Sequence, residues 1–232
     1  MTTPPGKRFV LFASLLTAAL GVVLLLKPGG SQPTYQGRRL STWLDELAET
    51  GGSRPGAPLS RQARSVRAIG TNALPWLLSE FAWNEPRWHG HLNRLLQKQR
   101  ITNFRFGGTL RRHRRAILGF QTLGEMAEPA IPDLLRLIEV RHGLVPIALA
   151  GIGAPAIPAL AQCLTNTSSL TSNNVLIGTI RSGAVGAVHQ AVNQGRLSKS
   201  EAAEFVHAAR EWATRDPLMK DYLAIFVRDC GD

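Results

Sequence analysis

The chain has 232 residues, enough for one ordinary domain plus a short appendage, and carries a formal net charge of +11. Its 44% hydrophobic content is that of a globular protein, while aromatic residues make up 6% and alanine, leucine and arginine dominate, a mix that favours helices over sheets. Cys163 and Cys230 are too few to form a disulfide framework and have no companions at metal-ligand spacing. One bond between them is open to an exported domain, and structural thiols are the simpler reading.

Residues 1–8 form a short basic tail ending in Lys7 and Arg8. An uncharged run, "FVLFASLLTAALGVVLLL", extends from Phe9 to Leu26. As a helix rising ~1.5 Å per residue it reaches ~27 Å, close to the ~30 Å of a bilayer core. Residues 9–26 therefore predict a transmembrane anchor or a signal sequence. No clean A-x-A site follows the run and no lipobox cysteine is present, which favours the anchor over a cleaved leader. Basic residues on both flanks nearly balance: Lys7 and Arg8 on one side, Lys27, Arg38 and Arg39 on the other. The short tail and signal-like layout favour a C-terminal domain exported to the envelope or periplasm, or secreted if the segment is cleaved.

Residues 27–37 include "PGGSQPTYQG", with glycine, proline and polar residues but no apolar period, and predict a linker. The domain proper is expected over residues 38–230. In "RRLSTWLDELAE", Leu40, Trp43, Leu44 and Leu47 share one helical face, with Ser41 as N-cap and Asp45 and Glu46 near the positive end of the helix.

A G-x-x-A-x-P spacing then occurs three times: Gly70, Ala73 and Pro75; Gly124, Ala127 and Pro129; Gly153, Ala156 and Pro158. Before Gly70, Leu59, Ala63 and Val66 oppose Arg61, Arg64 and Arg67. Before Gly124, Leu110, Ala116, Ile117 and Phe120 oppose Arg111, Arg112, Arg114 and Arg115. Each arginine-bearing segment reads as an amphipathic helix ending in a glycine that accepts positive φ. Each proline suits the first turn of the helix that follows. The unit is helix, tight turn, helix, and neither helix can bury its apolar face alone, so adjacent pairs must stack.

The segments "AIGTNALPWLL", "LGEMAEPAIPDLLRLI" and "GIGAPAIPALAQCL" resemble the repeats of bacterial HEAT-repeat domain proteins. "YQGRRLSTWLDELA" is similar to the segment that often opens such proteins in the envelope. The resemblance extends from about residue 35 to 164. It implies an all-α, irregular HEAT-like solenoid behind the N-terminal hydrophobic helix. The intervals depart from the ordinary ~40–47 residues. Gly70 to Gly124 is 54 residues and contains an insertion with an expected helix around 90–100. Gly124 to Gly153 is 29 residues, implying a trimmed first helix around 144–150. Beyond Leu164 the segment "NVLIGTIRSGAVGAVHQAV" is helical in character but interrupted by glycines. Ser198 and Glu201 form a capping box ahead of Phe205, Val206, Ala209 and Trp212, and Asp216–Pro217 opens a last helix through Val227.

Charge is unevenly spread. From Arg54 to Arg115 there are thirteen Lys/Arg against Glu80 and Glu85, so the net excess of the whole chain lies in this stretch. Placed opposite the core face, Arg61, Arg64, Arg67, Arg111, Arg112, Arg114 and Arg115 are candidate contacts to an anionic partner. The bland alternative is a solvated basic face.

His89 and His91 stand at i, i+2, off a common helix face and without a carboxylate or cysteine nearby, which argues against a metal site. His113 falls on the apolar side of its helix, the place of a core or border histidine. No G-x-S-x-G, H-E-x-x-H, phosphate-binding glycine loop or paired-carboxylate arrangement occurs, so neither enzyme nor cofactor is expected.

The sequence therefore predicts a membrane-tethered scaffold for an unidentified protein partner. The competing class is an electrostatic binder of an anionic polymer, a lipid surface or nucleic acid through residues 54–115, nucleic acid ranking last because export removes the domain from it.

Overall fold

The computed structural model describes residues 32–50, 58–84, 108–165, 171, 174–213 and 220–230. The chain divides into two units, Met1–Ser31 and Gln32–Asp232. The first, with the run Phe9–Leu26, lies outside the described residues, as do the insertion helix expected around 90–100, His89, His91 and Asp216–Pro217. Among the described residues no helix is long and apolar enough to cross a membrane.

The regular structure among the described residues of the second unit is helical apart from one small hairpin. Strands β1 (Thr34–Tyr35) and β2 (Arg38–Arg39) pair antiparallel. The stretch expected as linker is thus structured from Thr34 onward. Gln36 at φ 50° and Gly37 at φ 71° supply the two positive-φ residues that a tight hairpin turn requires.

Helix α1 (Leu40–Glu49) follows directly, with Arg39 rather than Ser41 at its N-cap and no side-chain cap bond. The hairpin explains the earlier start: the Leu40 N–H donates to Pro33 O at 2.9 Å, so the backbone provides what Ser41 was expected to supply. Leu40, Trp43, Leu44 and Leu47 are all buried, and the Trp43 indole N–H donates to Tyr35 O at 3.3 Å.

Helix pairs follow. The first is α2 (Arg61–Ile69) and α3 (Leu74–Ala82); the second is α4 (Thr109–Leu123) with α5 (Ile131–Arg136) and α6 (Ile138–Arg141). The third is α7 (Val145–Ile152) and α8 (Ile157–Thr165), and the fourth is α9 (Asn174–Asn193) and α10 (Lys199–Ala213). Helix α11 (Lys220–Cys230) packs on α9 and α10 and runs past the expected end at Val227. The first members touch in succession, α2 on α4, α4 on α7 and α7 on α9. Helix α7 is short, as the 29-residue spacing required. Helix α9 instead runs unbroken for 20 residues through its glycines.

The repeated motif is the turn inside each of the first three pairs. Gly70, Gly124 and Gly153 adopt φ/ψ of 62°/−144°, 58°/−135° and 96°/−149°. Positive φ was expected. The extended ψ sends the chain straight into a 3-10 turn instead of the usual left-handed cap, in a region that a Cβ strongly disfavours. Ala73, Ala127 and Ala156 are fully buried where successive turns meet. Pro75 and Pro158 sit in the first turns of α3 and α8. Pro129 does not: it lies inside a longer 3-10 segment, Gly124–Ala130, and Pro132 takes the helix-opening position of α5.

The core runs through all these elements, from Trp43 and Leu44 through Phe81, Phe120 and Leu134 to Phe205 and Phe226. Ala116 and Phe120 are buried as expected, but Leu110 is 86% exposed. It lies in the first turn of α4, ahead of His113, the first buried position of that helix.

Candidate functional site

The basic faces of α2 and α4 follow from the register that buries Ala63, Val66, Ala116 and Phe120. On α2, Arg64 is exposed, and the Arg61 guanidinium stands 5.8 Å from the Trp43 ring centroid. Arg67 reaches to the next pair, its Nε–H donating to Thr122 O at 2.7 Å. That carbonyl is in the last turn of α4, where a cation also meets the negative end of the helix dipole.

On α4 the arginines divide. Arg115 makes two parallel bonds to Asp45 of α1, Nε–H to Oδ1 at 2.6 Å and a terminal N–H to Oδ2 at 2.5 Å. Its other terminal nitrogen lies 3.7 Å from Glu80 Oε2. Arg112 bonds Glu80 Oε1 at 3.1 Å and lies over the Trp83 ring at 4.0 Å from the centroid. Glu80 is buried at 7% exposure, a position no carboxylate occupies cheaply without cations beside it. The hydrogen bond from Arg115 to Asp45 outweighs desolvation and holds the guanidinium pKa above its ordinary value. Arg114 donates to Ala48 O, at the end of α1, at 3.2 Å. Arg111 is exposed. The side chains of Arg64 and Arg111 make no hydrogen bond, ion pair or ring contact among the described residues.

The same fastening recurs outside the basic stretch, where sequence reading assigned it no role. Arg141 donates to Phe81 O at 3.0 Å, Ala82 O at 3.4 Å, Trp83 O and Asn84 Oδ1 at 2.7 Å, closing the end of α3. Arg181 donates to Leu164 O at 3.1 Å near the end of α8 while lying over Trp212 at 4.4 Å. The only advance signal was that helices ending without a basic residue of their own leave carbonyls that need one.

Arg111, Arg114 and Arg115 nonetheless converge on one place. With Asp45, Ala48 and Glu49 they line a cleft of about 230 Å³ between α1 and the start of α4. Its walls carry both charges, Glu49 on one and Arg111 on the other. Such a cleft can hold a polar segment bearing both signs.

Two titratable groups elsewhere, His113 and Cys163, are of core type. His113 is 7% exposed, with Nε2 positioned to donate to Trp83 O at 3.2 Å, and burial lowers its pKa, as a border histidine should behave. Burial pushes the Cys163 thiol up to about 12, far from the thiolate that a nucleophile needs. Among the described residues no group of three or more His, Cys, Asp or Glu could hold a metal ion.

No protein-family model matches the chain, and no curated protein or solved structure matches it.

Proposed function

We propose that the chain is a membrane-tethered, HEAT-like solenoid that serves as a non-catalytic scaffold for another protein. The observation that carries this reading is the internal use of the basic stretch. Arg67, Arg112, Arg114 and Arg115 are bound to carbonyls and carboxylates of neighbouring helices, which leaves Arg64 and Arg111 as its unengaged members among the described residues. A surface built to hold a polyanion needs many free cations in register. A scaffold needs stacked helices and mixed polar clefts, and the repeated glycine turns and the α1–α4 cleft supply both. The tether rests on the apolar run Phe9–Leu26 and its basic flanks.

The electrostatic reading keeps one point in its favour: Arg64 and Arg111 are exposed and unneutralised. The two readings separate in cells. The full chain and its Arg64→Glu/Arg111→Glu variant are crosslinked in intact cells, and bound partners are recovered at low and raised salt. The scaffold reading expects the same partner from both chains under both conditions. Loss of capture in the variant and in salt would favour the anionic partner, and recovery of no specific partner would remove the scaffold proposal.

A further inference from the structure

The cleft between α1 and the start of α4 has both room and access. Its volume of about 230 Å³ is the share of roughly eight liquid waters at ~30 Å³ each. That is less than the ~300–1,000 Å³ of clefts that hold drug-sized molecules, so it suits something smaller. Glu49, Arg111 and Arg114 are all exposed, and a small solute can approach each of them.

Bonds across the cleft hold its walls together. The Arg115–Asp45 fork joins α4 to α1, and one terminal nitrogen of Arg114 donates to Ala48 O at 3.2 Å. The spacing of the walls is therefore set before a ligand enters, which lowers the cost of ordering the site. What remains is unmatched charge. Arg115 and Asp45 cancel each other. Among the described residues neither Arg111 nor the facing Glu49 makes a hydrogen bond or ion pair, and Arg114 makes only its bond to Ala48 O. The lining thus offers two cations and one anion beyond the Asp45–Arg115 pair.

A ligand that meets all three carries two carboxylates and one ammonium. Each carboxylate presents two coplanar oxygens to one guanidinium fork, and the ammonium faces Glu49. A polyanion would instead set like charge against Glu49. Glutamate and aspartate carry all three charges within one residue's length, whereas a polypeptide segment needs three separate side chains to do so. We propose that the α1–α4 cleft binds a free acidic α-amino acid, its carboxylates on Arg111 and Arg114 and its ammonium on Glu49. This site goes beyond the scaffold reading and does not depend on it. The Arg64→Glu/Arg111→Glu chain should still capture the protein partner but lose the amino acid.

The test titrates the full chain with L-glutamate and L-aspartate at constant ionic strength. Binding is followed by NMR on the Nε–H resonances of Arg111 and Arg114, each assigned by its loss in Arg111→Met or Arg114→Met. Glutamate or aspartate should shift the pair saturably. Glutamine lacks the second carboxylate and glutarate lacks the ammonium, and each should bind several-fold more weakly than glutamate. Glu49→Gln should let glutarate bind as well as glutamate, and Arg111→Met should do the same for glutamine. A general change in surface charge would move all probes of one sign alike and leave those differences in place. The comparison of probes on the parent chain needs no variant and stands even if a variant does not fold. No saturable response to either amino acid, or glutarate or glutamine binding as tightly as glutamate, would overturn the proposal. Tighter binding of the peptide N-acetyl-Glu-Lys-Glu amide than of the free amino acids would also overturn it, in favour of a polypeptide segment.

Discussion

Gly70, Gly124 and Gly153 show how much of this fold is decided by single residues. Each must hold positive φ with extended ψ, so Gly124→Ala should destabilise the chain by about 1–3 kcal/mol in denaturant unfolding. Gly178 is the control. It lies within α9 with open space where a Cβ would go and no unusual φ, and Gly178→Ala should stabilise by about 0.5–1 kcal/mol. His113 provides a second residue-scale expectation. Burial lowers its folded-state pKa below the ordinary 6.5, so between the two values the unfolded chain binds more protons. The stabilisation is therefore present above pH 6.5 and lost as pH falls through the folded-state value. His113→Leu should flatten that part of the pH–stability curve, and an unchanged slope would show that His113 does not cause it.

At the scale of elements, the order of helices and turns was legible because local chemistry dictates it. Positive φ needs glycine, a helix's first turn tolerates proline, and a buried turn-to-turn contact needs alanine. The capping box at α10 was legible for the same reason: the Ser198 N–H donates to Glu201 Oε2 at 2.7 Å and the Glu201 N–H donates to Ser198 Oγ at 3.2 Å. The Ser198 N–H, together with the Ser198 hydroxyl that donates to the same Oε2 at 2.7 Å, holds the Glu201 carboxyl below its ordinary 4.5. Its contribution is present above that value and lost as pH falls through the lower folded one. Glu201→Gln should cost about 0.5–1 kcal/mol at neutral pH and remove the acid dependence tied to this site. The fates of the arginines were not legible. Arg115 meets Asp45 across 70 residues of sequence and Arg67 meets Thr122 across 55, distances over which no periodicity carries information. Reading every arginine opposite the core face as solvent-facing overlooked helix ends, whose free carbonyls compete for cations as strongly as any partner.

At the scale of the whole molecule, several arginines of the described residues act as fasteners between helices. Arg115 and Arg112 join α1, α3 and α4 around buried Glu80; Arg67 and Arg141 tie the first and second pairs together; Arg181 ties the third to the fourth. On the solenoid reading proposed above, each pair meets mainly its neighbours, so bonds across successive pairs carry much of the cohesion. That reading directs the search for a partner to the helix surfaces and the α1–α4 cleft rather than to the arginine density. Raised salt should consequently weaken the exposed Arg136–Asp133 pair while leaving the enclosed Arg115–Glu80–Arg112 cluster largely intact.

The most direct measurement is denaturant unfolding of the full chain carrying Arg115→Met or Arg111→Met. The first strips Asp45 of its forked partner and Glu80 of one flanking cation, and should cost about 2–4 kcal/mol. The second removes an exposed, unengaged charge and should stay within about 0.5 kcal/mol of the parent. Equal, small effects of both substitutions would contradict the account and return the basic stretch to the role of a free, partner-binding face.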